Sequence, residues 1–204
     1  TGFKNRIPNG QMVIDQRNAG ASIIIPDSSF AVDRFIYVAS QASKFTAGQN
    51  LNSITAPAGF TNYLGFQTLS SVSIGAGDYF AVSQKIEGFN SADLNWGTAN
   101  AQSVTLSFRV YSSLTGTFGG SLRNSAANYS YPFSYSIPVA NTWTTISITI
   151  AGQTAGTWIA ATNGIGLSVN FGLGVGSTYS GTAGAWASAN NLSTTGAVSV
   201  VGTG

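Results

Sequence analysis

The chain contains no cysteine and no histidine. The first absence excludes disulfides, thiolate metal sites and cysteine nucleophiles. The second removes the commonest general base and the commonest metal ligand, leaving hydroxyls, amides and a few carboxylates for any site chemistry. Charge is scarce too. Eight basic and six acidic residues make up 7% of the chain, against about 25% in an ordinary soluble domain, and none lies after Arg123. A net charge of +2 is too thin for a nucleic-acid footprint, which needs clustered Lys and Arg. No apolar run approaches the ~20 residues that span a bilayer, so membrane insertion is not expected. No signal peptide is read at the start. A beginning at Thr1 rather than Met fits a processed form or part of a longer protein.

What remains is apolar, hydroxylated and rich in glycine. A hydrophobic fraction of 43% and an aromatic fraction of 12% over 204 residues are too high for disorder. The length suffices to bury a core without staples. The combination points to an extracellular or virion β-protein, kept soluble by hydroxyls and amides, within a larger assembly.

Helical periodicity is nearly absent, while strand signals recur between Gly, Asn, Ser and Pro. Strands are expected over Gln11–Arg17, Ser22–Ile25, Phe30–Ala39, Ala42–Thr46, Tyr63–Leu69, Tyr79–Ile86 and Ser103–Ser112. Further strands are expected over Thr117–Arg123, Tyr131–Ile137, Trp143–Ile150, Gly164–Leu173 and Ala185–Leu192, with a last apolar run at Val198–Val201. In Phe30–Ala39 the pattern sets Val32, Arg34, Ile36 and Val38 on one face. In Ser103–Ser112 it sets Val104, Leu106, Phe108 and Val110 against Thr105, Ser107, Arg109 and Tyr111, the alternation of a half-buried antiparallel strand. Asn90–Trp96 could form one helical turn. No linker divides residues 1–204, and the expected fold is all-β: one antiparallel two-sheet β-sandwich, a jelly roll.

Candidate chemistry is sparse. Gly172–Thr178 is glycine-rich, but no helix or Lys follows as a phosphate loop requires, so turn and bulge geometry is the better account. Asp78, Glu87 and Asp93 are close in sequence. A glycosidase pair needs two such acids flanking a sugar bond, yet capping and ion pairing explain them as well. They form no compact calcium loop, and no metal or cofactor is expected. Arg34 must find a carboxylate if it faces the core, with Asp15, Glu87 and Asp93 as candidates. Asn128-Tyr129-Ser130 and Asn191-Leu192-Ser193 match the glycosylation sequon. The best binding candidate is aromatic. Tyr131, Phe133 and Tyr135 alternate on one strand face, with Tyr129 beside them and Arg109, Tyr111, Arg123 and Asn124 as polar partners. Sugars stack on aromatic faces while amides and Arg bind their hydroxyls. The alternative is that these aromatics fill the core or a protomer contact.

Several stretches resemble a family of phage tail-fibre and virion-surface proteins with a carbohydrate-binding-module-like jelly roll. They are KNRIPNGQMVIDQRNAG at Lys4–Gly20, VDRF at Val32–Phe35 with the YVASQASKFT that follows, KIEGFNSADLNWGTANAQSVTLSFRVYSSLTGTFGGSLRNSA at Lys85–Ala126, and LGVGSTYSGTAGAWA at Leu173–Ala187. The resemblance implies a non-enzymatic structural protein of the virion, a tail fibre or surface projection. It implies assembly with other virion proteins as a homotrimer and contact with host-surface glycans. It supplies no catalytic residue. A capsid decoration or fibre-shaft protein with a purely structural role is the alternative. Family members continue past Val200–Gly204 into a further strand.

Overall fold

The computed structural model describes residues 4–203, so residues 1–3 and 204 lie outside the described residues. In chain order the strands are β1 (Ile23–Ile24), β2 (Ser29–Val32), β3 (Phe35–Ala39), β4 (Phe45–Gln49), β5 (Leu64–Thr68), β6 (Tyr79–Glu87) and β7 (Val104–Val110). There follow β8 (Gly116–Arg123), β9 (Ser130–Ile137), β10 (Thr144–Ile150), β11 (Ile165–Val175), β12 (Ser180–Gly181) and β13 (Ser193–Thr194). A short helix α1 (Gly88–Ser91) and a 3-10 turn at Ala92–Leu94 fall where one helical turn was expected.

The molecule is all-β. One layer is a six-stranded sheet in the order β2-β3-β6-β11-β8-β9. The facing layer comes in two pieces, β1-β4-β5 and β7-β10. The pairs β8·β9, β7·β10 and β6·β11 are nested inside one another and all antiparallel. A long hairpin rolled over itself gives that nesting, and it is the winding of a jelly roll. Alternation drives the layering. Leu106 turns inward while Thr105, Ser107 and Arg109 stay exposed, and Leu106 and Ile150 share a buried cluster with Leu122, Phe133 and Val169 from the large sheet. A second cluster joins Phe45 and Ala47 of β4 to Tyr37, Ala39 and Phe80.

The other face of the large sheet is covered as well. The segment 176–199 lies across it, and glycines admit its main chain. A Cβ on Gly119 would stand 2.6 Å from both Ser193 Oγ and Thr194 Cγ2, and one on Gly172 2.7 Å from Ser193 Oγ. Ser121 and Asn170 are therefore buried, although they occupy polar positions of their strands, and Ser83 beside Asn170 is buried too. The glycine-rich run after Phe171 carries a register shift between Gly172 and Gly174, a bulge and not a phosphate cradle.

Three strand expectations are corrected. Gln11–Arg17 forms no strand, because the Asn9 side chain folds the chain back before it extends: the Ile14 N–H donates to Asn9 Oδ1 at 2.9 Å, and Asn9 Nδ2 donates to the Ile14 carbonyl at 2.8 Å. Phe30–Ala39 is a hairpin, broken at Asp33-Arg34 where Arg34 takes φ +78°. The break reverses the expected faces, so Phe35, Tyr37 and Ala39 are the buried residues. Arg34 then meets Glu87 at 2.7 Å. Ala185–Leu192 makes one isolated bridge, Ala187 to Ser130. The apolar run Val198–Val201 docks by its main chain: the Val198 N–H donates to Thr117 O at 2.8 Å and the Val201 N–H to Leu173 O at 2.9 Å.

Candidate functional site

The two pieces of the second layer do not join, and a half-open cleft of about 1520 Å³ occupies the seam. Its floor is the inner face of the large sheet, with Phe35, Val82, Gln84, Val169 and Phe171. Its walls are the neighbouring strands β5 and β7. Tyr135 reaches it from β9 and stacks on Phe118 at 5.8 Å, with Phe108 edge-on at 5.0 Å. Burial pushes the Tyr135 hydroxyl above its ordinary range.

The rim is built by the loop between Asn50 and Tyr63, which reaches across the seam to β7 and β10. Trp143 donates its indole N–H to the Thr55 carbonyl at 2.9 Å. Its ring lies 5.8 Å from Tyr63 and 5.4 Å from Tyr111. Arg109 donates to the Ala58 carbonyl at 3.1 Å and stands 5.3 Å over the Phe60 ring. A guanidinium has five donors, so this anchored Arg109 keeps donors for a ligand. Asn52, Asn62 and Asn141 complete the rim, and among the described residues the lining holds no carboxylate.

The seven expected glycan residues are divided. Arg109, Tyr111 and Tyr135 come together at the cleft. Tyr131, Phe133 and Tyr135 do share a strand face, but that face points into the core, where Tyr131 is buried 5.4 Å from Trp186. Arg123 and Asn124 lie at the far end of β8. Arg123 donates to Asn190 Oδ1, and burial lowers its pKa. Asn124 is buried and ties its own turn: it donates to Asn128 Oδ1 at 2.7 Å and accepts from the Tyr129 N–H at 3.1 Å. Tyr129 packs over Gly156, where a Cβ would approach its ring to 2.6 Å.

Other residues were missed by sequence reasoning. Trp143 reads in the sequence only as the first residue of a strand, and Phe60 and Asn62 as loop. Trp96, Trp158 and Trp186 form a triangle with ring centroids 4.9, 5.3 and 5.5 Å apart. Each donates its indole N–H to a main-chain carbonyl, so the triangle is tied to the main chain and packs against the main core cluster.

The three acids do not converge. Asp78 accepts from Gln41, Gly75 and Ser40, which hold its carboxyl below the usual range. Glu87 pairs with Arg34. Asp93 takes both prongs of Arg6 at 2.7 Å, with Lys4 at 3.3 Å, and the Arg6 fork above all holds its carboxyl well below the usual range. Among the described residues no three His, Cys, Asp or Glu side chains gather as a metal site would require.

No family model and no curated protein matches the chain. Among solved structures it is similar to the crystal structure of the bacteriophage CBA120 tailspike protein 4 enzymatically active domain, at 16% identity and a TM-score of 0.47. The likeness covers 82% of this chain and 19% of that one. That domain is described as enzymatically active, so the expectation of a protein without catalytic activity is corrected and not carried further.

Proposed function

We propose that this chain is a surface domain of a bacteriophage tail protein that contacts host glycans through the rim of the seam cleft. Sequence blocks similar to the phage virion-surface family support the first part. The observation that carries the second is the rim itself: Tyr111, Trp143 and Phe60 beside Arg109, Asn52, Asn62 and Asn141, at the mouth of an open cleft. Aromatic rings offer apolar faces to the C–H surfaces of a sugar, while the amides and guanidinium offer donors and acceptors for its hydroxyls. Assembly with other virion proteins as a homotrimer belongs to the same proposal.

A glycan array probed with the purified protein tests it. Wild type should retain host-type surface glycans, and Trp143→Ala and Arg109→Ala should each lose at least tenfold in affinity while keeping the wild-type circular dichroism spectrum. Absence of any bound glycan, or full binding by both folded variants, would overturn the proposal.

A further inference from the structure

Arg109 is placed unlike the other arginines. Arg6 holds Asp93, Arg17 holds Asp33 and Arg34 holds Glu87, while Arg123 is tucked against Asn190. Arg109 is exposed, and among the described residues no carboxylate lines the cleft beside it. It is nevertheless held in place. The Phe60 N–H donates to Pro57 O at 3.0 Å, closing a turn that offers the guanidinium both the Ala58 carbonyl and the Phe60 ring. Nη1 donates to that carbonyl at 3.1 Å, and the ring centroid lies 5.3 Å away. Nε and Nη2 make no hydrogen bond among the described residues. The edge of the guanidinium that can donate two parallel hydrogen bonds is therefore open.

Strand register supplies the neighbours of that edge. Arg109 is paired with Thr145 across β7 and β10. Alternation puts Ser107, Arg109 and Tyr111 on one face. Tyr111 meets Trp143 with ring centroids 5.4 Å apart, and two residues along a strand advance it about 7 Å. An aromatic surface and an open guanidinium edge thus stand side by side, at the spacing of a sugar ring and a substituent it carries. The hydroxyls of Ser107 and Thr145 lie on the same face and also line the cleft.

We propose that the glycan held at this rim is acidic, and that Arg109 binds its anionic group, a sugar-borne carboxylate or phosphate, through the Nε–Nη2 edge. The inference rests on the glycan reading of the rim and names the class of glycan. A guanidinium matches either oxyanion through paired hydrogen bonds. Among the described residues the lining has no carboxylate to repel that anion or to compete for Arg109. If Arg109 served only to anchor the loop, the charge of the ligand would not matter, so ligand charge separates the two roles.

The test is an array of bacterial surface polysaccharides probed with the whole chain. Each uronate-containing member stands beside its carboxyl-reduced neutral form, and each phosphate-substituted member beside its dephosphorylated form. The acidic member of a pair should bind about tenfold or more tighter than its neutral form, the scale of a hydrogen bond to a charged group. Which kind of pair shows the difference tells carboxylate from phosphate. Raising salt from about 50 to about 500 mM should weaken the acidic member alone. Arg109→Gln should abolish the difference within a pair, Arg109→Lys should keep part of it, and Trp143→Ala should weaken both members alike. The wild-type pairs need no variant, and Arg109→Lys reads the role of the fork if Arg109→Gln does not fold. Equal binding within pairs, retention of neutral polysaccharides only, or a preference for acid that survives Arg109→Gln would each overturn the inference and leave the glycan reading standing. Retention of no polysaccharide would overturn both.

Discussion

Three glycines to alanine separate steric from conformational constraint on the covered face of the large sheet. Gly119 sits in β8 beneath the 176–199 segment. An added Cβ would lie 2.6 Å from Ser193 Oγ and Thr194 Cγ2, and 2.9 Å from the Thr194 main-chain nitrogen. The first two atoms can turn away, but the third is backbone, so the covering segment must lift. Overpacking of this kind costs about 1–3 kcal/mol. Gly59 has nothing within 4 Å but takes φ +86°, so Gly59→Ala costs only the left-handed conformation, about 1–2 kcal/mol. Gly77 has neither restriction, and Gly77→Ala should be neutral or gain about 0.4–1 kcal/mol through reduced unfolded-chain entropy. Urea titrations at one pH give all three. Near the melting midpoint each kcal/mol is worth about 2–4 °C for a chain of this size. The variants also differ locally. Gly119→Ala should expose the amides of Ser193 and Thr194 to exchange before global unfolding, whereas Gly59→Ala leaves them protected. A Gly119→Ala protein as stable as Gly77→Ala, with Ser193 still protected, would refute the close docking of this segment.

Two further outcomes follow from the polar groups. Asp93 has its carboxyl depressed by the Arg6 fork, so its contribution is full above the ordinary carboxylate value of 3.8 and lost as pH falls below it. Because Asp93 is 55% exposed, the contribution is about 0.2–1 kcal/mol. The gap between wild type and Asp93→Asn in urea midpoint should narrow progressively as pH falls from 5 to 2, and a gap that stays constant would count against the ion pair. Ser83 is 2% exposed and its Oγ has no partner among the described residues. Removing an unsatisfied hydroxyl should be neutral or stabilising by about 1 kcal/mol, so Ser83→Ala should melt at or above wild type. A loss beyond 1 kcal/mol would mean that the hydroxyl holds a buried water.

The strands from β6 to β11 were legible because each has one face on the inter-layer core. Val104, Leu106, Phe108 and Val110 alternate with polar residues, as do Ile146, Ile148 and Ile150, and period two survives any long-range context. Failures fell where single side chains dictate the backbone. Asn9 closes a turn around Met12, and Arg34 adopts a positive φ inside a run of strand formers. Neither event changes hydrophobic periodicity, so the pattern gave no sign of it. Glu87 is one of three carboxylates the sequence offers Arg34 on the premise that Arg34 faces the core; the pair forms instead at the hairpin break, with both side chains partly exposed.

The site was less legible, for a topological reason. Alternation identifies two faces of a strand without saying which is wet. In β9 the aromatic face is the core face, so Tyr131 and Phe133 pack inward. In β8 and β11 the face of Ser121 and Asn170 looks solvated, yet 176–199 buries it, with Ser121 Oγ donating to Asn191 O at 2.8 Å. The rim joins residues far apart in sequence, Trp143 to Thr55 and Arg109 to Ala58, and no local pattern encodes such a meeting. The scarcity of charge is the one compositional signal that bears on all of this. A sandwich whose large sheet is covered on both faces has little surface on which strand side chains can carry charge. Five of the eight cations and four of the six anions sit instead before Tyr79, in loops and short strands around the large sheet. Arg109 is then notable for position and not for abundance: among the described residues it is the single charge lining the seam, and a ligand that enters there meets one fixed cation in an otherwise neutral cleft.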